Sequence, residues 1–320
     1  MFGQVEVVTI GETMLMLTPP RFHLIENCEN FRVMIGGSEA NVAIGLQRLG
    51  VRSGWISKVV DNALGRRIVN EIRGYGVDVS RVVWTDKGRI GLFFVEFGVE
   101  PRPSKTIYDR AGSAVTTLKP EEVDWEYVKQ AKILHQTGIT PALSEVCEKL
   151  TLKAAEKARE MGLKNSFDVN YRSLLWKPEE MRKTLSRILP YVDVLISTLR
   201  DAHLLIEDEP SPEDTAARLK KEYGSEVVVI TLGEKGSLAL SDRVYHGRSY
   251  RLKKVNRLGT GDAFDAGFIY GYLKGSVQVG LEYAAAMAAL KFTVPQNIPL
   301  ITREDVENLI GGVQERDIRR

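Results

Sequence analysis

The chain has 320 residues, 43% of them hydrophobic and 27% charged, with a formal net charge of +2 and two cysteines. This composition is that of an ordinary globular protein, long enough for one large domain or two. The balanced, interspersed charges exclude a basic footprint for nucleic acid. Apolar stretches are shorter than a membrane span, and the N-terminus lacks the basic and apolar regions of a signal peptide. We therefore expect a cytoplasmic protein with no nucleic-acid or membrane partner.

Short β-branched runs alternate with amphipathic segments along the chain. The pattern predicts strands at 5–10, 53–60, 132–138, 164–169, 192–198 and 226–233. It predicts helices at 38–50, 63–76, 142–162 and 178–189, and a last third that is mostly helical. The strand at 226–233 is almost continuously apolar, as in a central strand covered on both faces. This alternation is typical of βαβ units around a parallel sheet.

Four further segments interrupt this alternation, because strand-like runs follow one another there without a helix between them. They lie near residues 12–18, 30–37, 89–98 and 104–112. Such runs predict a small separate sheet that projects from the main body. No linker, internal repeat or low-complexity tract divides the chain, so we predict one domain over residues 1–320.

The segment RLGTGDAFDAGF (257–268) combines two glycines, a threonine and an aspartate just before a predicted helix. Gly259 and Gly261 leave backbone amides open to a ligand, and the helix N-terminus adds partial positive charge, so an anion site is predicted. Asp262 beside it suits a reaction in which a hydroxyl loses its proton while amides stabilise a phosphoryl group. So short a motif is also compatible with a plain turn in which Asp262 offsets the helix dipole.

Two other phosphate-binding motifs are excluded by the residues themselves. The chain contains no GxxxxGK[ST] segment of a P-loop. A dinucleotide GxGxxG motif that begins at Gly259 needs a glycine where Phe264 stands, and it should follow an early strand. The predicted anion site therefore belongs to neither class.

The chain resembles the ribokinase-like, or phosphofructokinase B-type, family of carbohydrate kinases over essentially its whole length. The segment IGGSEANVAIGLQRLG (35–50) is similar to the first signature of that family, and GTGDAFDAGF (259–268) is similar to the second. Asp61 and Gly65 match a GxDxxG-type segment between the two. The resemblance implies a ribokinase-like three-layer α/β/α sandwich with a mostly parallel central sheet. The small β-sheet would be a substrate lid and the contact of a homo-oligomer.

The same resemblance implies cofactors and site residues. ATP and Mg²⁺ are the implied cofactors, and Asp262 is the implied general base for the attacking hydroxyl. The amides that would hold the transferring phosphoryl group belong to Gly259, Thr260, Gly261 and Asp262. The residues implied for the sugar are Gly36, Gly37, Asn41, Tyr108, Arg110, Arg172 and Asp262. The residues implied for the nucleotide are Asn170, Arg172, Thr231, Gly233, Lys235, Gly236, Gly259 and Gly261.

Three segments resemble the subgroup of that family that phosphorylates 2-keto-3-deoxygluconate at its 6-hydroxyl. They are YDRAGSA (108–114), GITPALS (138–144) and DVNYRSLLWKPEE (168–180). A sugar acid carries a carboxylate, and guanidinium groups bind carboxylates directionally. Arg110 and Arg172 stand where the resemblance implies ligands of the carboxylate or of sugar hydroxyls, although either alone is also compatible with a surface ion pair. A kinase for a neutral sugar such as fructose or ribose, and a catalytically silent sugar-acid sensor, are the alternative interpretations.

Three departures from the family pattern bear on the cofactors and the lid. The NxxE motif that orders the metal and its waters in relatives reads Thr198-Leu199-Arg200-Asp201 here, so Mg²⁺ is expected near Asp201, largely through water. Asn256 replaces an acidic residue linked to monovalent-cation sites, so potassium activation is not predicted. Asp109 stands where the lid of the subgroup has a second tyrosine.

Overall fold

The computed structural model describes residues 4–20, 23–99, 101–206, 209–253 and 255–312. The strands in these ranges are Val7–Ile10 (β1), Met14–Thr18 (β2), Arg32–Gly36 (β3), Ser53–Ile56 (β4), Lys58–Val60 (β5), Val83–Thr85 (β6), Leu92–Glu96 (β7), Lys105–Asp109 (β8), Ile133–Thr137 (β9), Lys164–Asp168 (β10), Val194–Thr198 (β11), Val227–Thr231 (β12), Ser237–Leu240 (β13) and Val244–Gly247 (β14).

The α-helices in the same ranges are Ser38–Arg48 (α1), Ala63–Gly74 (α2), Trp125–Val128 (α3), Glu145–Glu160 (α4), Pro178–Ile188 (α5), Leu199–Leu205 (α6), Pro212–Tyr223 (α7), Thr260–Lys274 (α8), Val277–Phe292 (α9) and Arg303–Ile310 (α10). Among these helices, none has the length and apolar character that crossing a membrane requires.

A mostly parallel sheet forms the centre of the protein, with the strand order β14-β13-β12-β11-β10-β9-β1-β4. The strands from β12 to β4 in this order are parallel, and β13 and β14 are antiparallel to their neighbours. Successive side chains of a strand point to opposite faces. Val228 and Ile230 accordingly pack in the core on the α5–α7 side, whereas Val227 and Val229 pack with residues of α8 and α9. Both faces are thus covered by helices, and the predicted three-layer fold class is confirmed.

The four predicted extra segments form a second sheet with the order β3-β2-β7-β8. One face of this small sheet carries an apolar cluster of its own, which includes Met16 and Phe93. The opposite face contributes Leu15 and Ile35 to a core shared with α1 and α2. Because β2 and β3 bury side chains on both faces, the small sheet is anchored to the main body at the start of α1.

One part of the predicted pattern is wrong. The last third was expected to be mostly helical, but β13 and β14 form an antiparallel hairpin that extends the central sheet. The turn of this hairpin is closed by the N–H of Ser241, which donates to the carbonyl oxygen of Arg243 at 3.1 Å. Each strand has four residues, which is too short a run for hydrophobic periodicity to identify.

Candidate active site

Polar groups collect where the parallel strands end and α1 and α8 begin. Glu12 follows β1, Asp168 ends β10, and Thr198 ends β11. The carboxyl ends of parallel strands lie at one edge of the sheet, which is where open α/β sheets bind ligands. The helix N-termini add amide groups and partial positive charge to the same edge.

Asp262 lies in the first turn of α8 and is 8% exposed. Its Oδ1 accepts a hydrogen bond from Ser38 Oγ, and its Oδ2 accepts one from Asn41 Nδ2, both at 2.6 Å. Both donors belong to the first turn of α1, so two helices orient the carboxylate. Asn41, which was predicted as a sugar ligand, therefore contacts the predicted base. Ser38 was not predicted as a site residue, although it lies in the same IGGSEAN segment.

Asn170 connects this pair of helices to the end of β10. Its Nδ2 donates to Ser38 Oγ at 3.0 Å, and its backbone N–H donates to Asp168 Oδ1 at 3.2 Å. Its φ of 41° is the only positive value among the described non-glycine residues. Asparagine adopts this left-handed region more readily than most residues do. Asn170, which was predicted as a nucleotide ligand, thus hydrogen-bonds to Ser38, and Ser38 in turn hydrogen-bonds to Asp262.

The carboxyl groups of this site have raised pKa values. Burial raises the pKa of Asp262, against the opposing effects of the Ser38 and Asn41 hydrogen bonds and of the charges of Arg172 and Lys291. Burial, followed by the charge of Asp201, raises the pKa of Asp168 to about 7. A general base gains efficiency when its pKa approaches the working pH. The burial of Asp262 therefore favours its predicted role.

The start of α8 offers free backbone amides. The N–H of Thr260 donates to the carbonyl oxygen of Arg257 at 3.3 Å, but within the described ranges no acceptor faces the N–H groups of Gly261 and Asp262. Gly259 adopts a left-handed conformation with φ of 75°. A Cβ there would overlap the carbonyl oxygen of Asn297. Three of the four predicted amides, those of Gly259, Gly261 and Asp262, thus have no acceptor within the described ranges, and the amide of Thr260 is engaged within the turn.

The two glycines of this turn give a matched pair of predictions. Gly259→Ala should destabilise the protein by roughly 1–3 kcal/mol and abolish turnover, because the added methyl overlaps backbone and the residue keeps a positive φ. Gly261→Ala should fold as well as the wild type, because a Cβ there meets nothing within 4 Å. We nevertheless expect it to lower turnover, because the methyl occupies space beside the free amides. Chemical denaturation and initial rates test both variants. Full activity of Gly261→Ala would show that no ligand approaches this turn.

Arg110 is buried and already paired within the protein. Its Nε donates to Glu12 Oε2 at 2.8 Å, and its Nη2 donates to the same oxygen. The other oxygen of this carboxylate, Glu12 Oε1, is buried without a hydrogen-bond partner in the part of the chain that the structure describes. The guanidinium carbon lies 5.5 Å from the ring centroid of Tyr108, whose ring stacks on Phe93. The two predicted lid residues are therefore held together, while their contact with a sugar acid stays a prediction.

Arg172 differs from Arg110 because its side chain is exposed. The only hydrogen bond seen for its guanidinium in the described ranges runs from Nη1 to the carbonyl oxygen of Tyr171, at 3.2 Å. Its charge lowers the pKa values of Asp168, Asp201 and Asp262. An exposed guanidinium beside this acidic group remains able to bind an incoming anion.

Gly36 and Gly37 are required by protein packing. A Cβ at Gly36 would lie 2.6 Å from Phe93 Cζ and 2.8 Å from Asn297 Nδ2. A Cβ at Gly37 would overlap the carbonyl oxygen of Glu12. The two glycines therefore let the small sheet approach the main body. Their predicted contact with the sugar is not tested by this packing.

The four residues predicted for the nucleotide loop lie on the turn between β12 and β13. Thr231 ends β12, and Lys235 is exposed to solvent. Gly233 and Gly236 have φ values of 62° and 90°. The N–H of Leu232 donates to the carbonyl oxygen of Gly236 at 2.8 Å and closes the turn. The positive φ values of the two glycines are thus required by the turn itself, and the contact of this loop with a nucleotide stays a prediction.

The acidic residues around Asp201 are the ones that bear on the binding of Mg²⁺. In the described part of the chain, no group of three or more histidine, cysteine or acidic residues is arranged to hold a metal ion. Asp168 and Asp201 are nevertheless close enough for the charge of Asp201 to raise the pKa of Asp168. Mg²⁺ bound with a nucleotide commonly keeps its waters and uses one or two carboxylates. These two carboxylates fit that mode of binding.

Asn256 is engaged by the protein. Its Nδ2 donates to the carbonyl oxygen of Pro295 at 2.7 Å, and its Oδ1 accepts from the N–H of Leu258 at 2.9 Å. The side chain thus ties the loop before α8 to the segment that follows α9. These contacts do not test the prediction on potassium.

Glu39 is a buried acid that the sequence did not single out. It lies in the first turn of α1 and is 1% exposed. Its Oε1 accepts hydrogen bonds from Thr137 Oγ1 at 2.7 Å and Thr140 Oγ1 at 2.8 Å. Burial raises its pKa from 4.5 to about 7. Folding therefore raises the fraction of Glu39 that is protonated at mildly acidic and neutral pH.

Glu39→Gln should make the protein less sensitive to rising pH. In the wild type, the stabilising effect of the protonated Glu39 is complete below pH 4.5 and is lost as the pH rises through about 7. We expect the variant to gain on the order of 2 kcal/mol relative to the wild type between pH 5 and pH 8. Urea unfolding at both pH values measures this difference, with Glu145→Gln, an exposed acid in the first turn of α4, as the control. A difference independent of pH would contradict the assignment.

A three-layer α/β/α fold in which a buried carboxylate stands beside free helix amides is the arrangement expected of a small-molecule kinase. The chain belongs to the pfkB family of carbohydrate kinases, whose family model matches residues 4–302. The family predicted from the two glycine-rich segments is thus confirmed.

Several relatives and solved structures match nearly the whole chain. It is 40% identical to a 2-dehydro-3-deoxygalactonokinase of Haloferax volcanii, with 96% of this chain and 97% of the relative covered. It is 34% identical to a 2-dehydro-3-deoxygluconokinase of Bacillus subtilis, with 97% and 96% covered. The crystal structure of a 2-dehydro-3-deoxygluconokinase of Thermotoga maritima matches with a TM-score of 0.91 and 34% identity, over 97% of this chain and 99% of that one.

Proposed function

We propose that the protein is an ATP-dependent sugar-acid kinase that phosphorylates the 6-hydroxyl of 2-keto-3-deoxygluconate, a compound also called 2-dehydro-3-deoxygluconate. The observation that carries the proposal is Asp262, which is buried and oriented by Ser38 and Asn41 beside free amides of α8. The names of the relatives support the substrate class. Arg172 supports it as well, because its exposed guanidinium group is the preferred partner of a carboxylate.

In the proposed step, the 6-hydroxyl oxygen forms a bond to the γ-phosphorus of ATP, and the bond from that phosphorus to the leaving oxygen of ADP breaks. Asp262 accepts the proton of the hydroxyl. The N–H groups of Gly261 and Asp262 stabilise the charge on the transferring oxygens. Mg²⁺, when bound, would neutralise part of the phosphate charge, and Asp168 and Asp201 would hold its waters.

The epimeric acid 2-keto-3-deoxygalactonate is the second candidate substrate. The relative that is 40% identical is named for that compound. The two keto-deoxy acids differ from each other only in the configuration of one hydroxyl-bearing carbon. The exposed guanidinium of Arg172 favours an acidic substrate over a neutral sugar. A silent sensor has no use for an oriented general base, so the geometry of Asp262 argues against this alternative.

The test is ADP release by the purified protein with ATP and Mg²⁺. The parallel substrates are 2-keto-3-deoxygluconate, 2-keto-3-deoxygalactonate, gluconate, fructose and ribose. We expect turnover on one or both keto-deoxy acids and little on the others. Turnover confined to a neutral sugar would keep Asp262 as the base and overturn the substrate class. Silence on all five would leave the sensor as the interpretation to test.

Assembly through the small sheet and a cytoplasmic location belong to the same proposal. The strand order leaves β8 at an edge of the small sheet, where Ile107 is 53% exposed. Exposed edge strands readily pair with another chain. Light scattering of the wild type and of Ile107→Asp tests this contact, because the variant should shift the protein towards the monomer. The use of ATP accords with a cytoplasmic location.

A further inference from the structure

The last turn of α9 contains a buried lysine side chain. Lys291 is fully buried, and its Nζ has no hydrogen-bond partner among the residues that the structure describes. Removing an ammonium group from water without pairing it is costly. An apolar residue would fill the same space without the cost of burying an ammonium group, so packing alone does not explain a lysine here.

The packing of α8 on α9 places this lysine behind the anion site. The two helices are antiparallel and are joined by only two residues, 275–276. Glycines mark their close approach, since a Cβ at Gly271 would lie 2.5 Å from the carbonyl oxygen of Val279. A Cβ at Gly267 would lie 2.6 Å from that of Tyr283. Continued along the helices, this register brings the last turn of α9 level with the first turn of α8.

Backbone contacts between the segment before α8 and the end of α9 support this placement. The N–H groups of Val255 and Asn256 donate to the carbonyl oxygen of Phe292, at 2.8 and 3.2 Å. The segment that leads into the GTGD turn thus lies against the end of α9. Asn297, which follows α9, touches Gly259 from the same side.

The charges of Lys291 and Asp262 also influence each other. The charge of Lys291 lowers the pKa of Asp262, and that of Asp262 raises the pKa of Lys291. Burial has the larger effect on the lysine and lowers its pKa to about 8. The ammonium therefore acts on the first turn of α8, where the free amides of Gly261 and Asp262 lie.

We propose that Lys291 is a fixed cation behind the anion site, which stabilises the phosphoryl group as it passes from ATP to the sugar acid. This inference rests on the proposed kinase function and adds a residue to it. Lys291 acts through its charge and does not contact the substrate. Among the described residues the ammonium group of Lys291 has no hydrogen-bond partner. During the reaction the amides of α8 hold the transferring group at that turn, and the negative charge of this group then lies near the ammonium.

The test compares Lys291→Met with Lys274→Met. Lys274 ends α8 at the opposite end of the helix pair and is exposed, so this matched variant loses the same charge far from the site. We expect Lys291→Met to lower kcat by roughly 10–10³-fold, the range for the loss of a charge-stabilising group, with little change in the KM for the sugar acid. Its unfolding midpoint should equal or exceed that of the wild type, because an unpaired buried charge is removed. Lys274→Met should match the wild type in kcat.

A second variant separates loss of charge from loss of packing. Lys291→Ala leaves a cavity, and added ammonium or methylammonium should restore part of its turnover, whereas sodium should not. Wild-type kcat in Lys291→Met would overturn the proposal. The proposal would also be overturned if the loss of kcat in Lys291→Met were fully explained by a smaller fraction of folded protein.

A binding measurement keeps this proposal distinct from the kinase assignment. MgADP with aluminium fluoride, a mimic of the phosphoryl group in transit, should raise the unfolding midpoint of the wild type and of Lys274→Met more than that of Lys291→Met. If the wild type phosphorylates none of the sugars but shows this difference, the anion site stands and the proposed function fails. Equal shifts in all three proteins would overturn the role of Lys291, whatever the turnover.

Discussion

Asp262→Asn is expected to lower kcat by roughly 10²–10⁴-fold, the range for the loss of a positioned general base. The asparagine keeps the size of the side chain and one oxygen acceptor for Ser38 or Asn41, so the protein should still fold. It cannot accept the proton of the attacking hydroxyl. Because the neighbouring amides are unchanged, the affinities for ATP and the sugar acid should remain close to those of the wild type.

Initial rates and calorimetric titrations with each substrate measure these effects for Asp262→Asn. The matched control is Asp242→Asn, which makes the same change in the exposed turn between β13 and β14. Unchanged turnover in Asp262→Asn would remove the proposed mechanism. A loss of binding that accounts for the whole loss of rate would assign Asp262 to substrate binding alone.

Arg172→Leu is expected to lower kcat/KM for the sugar acid by roughly 10–10²-fold. This range corresponds to about 1.5–3 kcal/mol for a hydrogen bond to a charged group. The loss should appear mainly as a higher KM for the sugar acid and should be smaller for any neutral sugar that the wild type accepts. Arg182→Leu, an exposed arginine on α5, serves as the control.

Two outcomes would contradict this role of Arg172. Equal losses on acidic and neutral substrates would mean that the guanidinium does not recognise the carboxylate. A rise confined to the KM for ATP would assign it to the phosphates. Arg110→Leu is a poorer test, because it leaves the buried Glu12 carboxylate without its cation and destabilises the fold by roughly 3–5 kcal/mol.

Much of the fold could be predicted because its signals are local. The strand–helix alternation, the glycine stops and the four consecutive strand-like segments are patterns of neighbouring residues. The hairpin of β13 and β14 escaped prediction because its strands are short. The two glycine-rich segments likewise identified the family, and Asp262 could be singled out as a base because it directly follows the GTG turn.

The partners of these residues could not be predicted from local pattern. Ser38 and Asp262 are separated by 224 positions, and Arg110 and Glu12 by 98. Both arginines looked equivalent as ligands for a carboxylate, yet one is engaged by a buried acid and the other is exposed. The four amides of the GTGD turn also looked alike, although the amide of Thr260 is engaged within the turn.

The sequence by itself thus determined the fold class, the family and the candidate for the general base, because periodicity, turn residues and motif spacing are properties of short stretches. Only the tertiary structure decided which groups orient that base, which guanidinium is free to meet a ligand, and where Lys291 lies. These properties depend on burial and on contacts between distant elements. In the sequence, Lys291 is one more charged residue near the end of a helix. In the folded protein its ammonium group is buried and has no hydrogen-bond partner among the described residues.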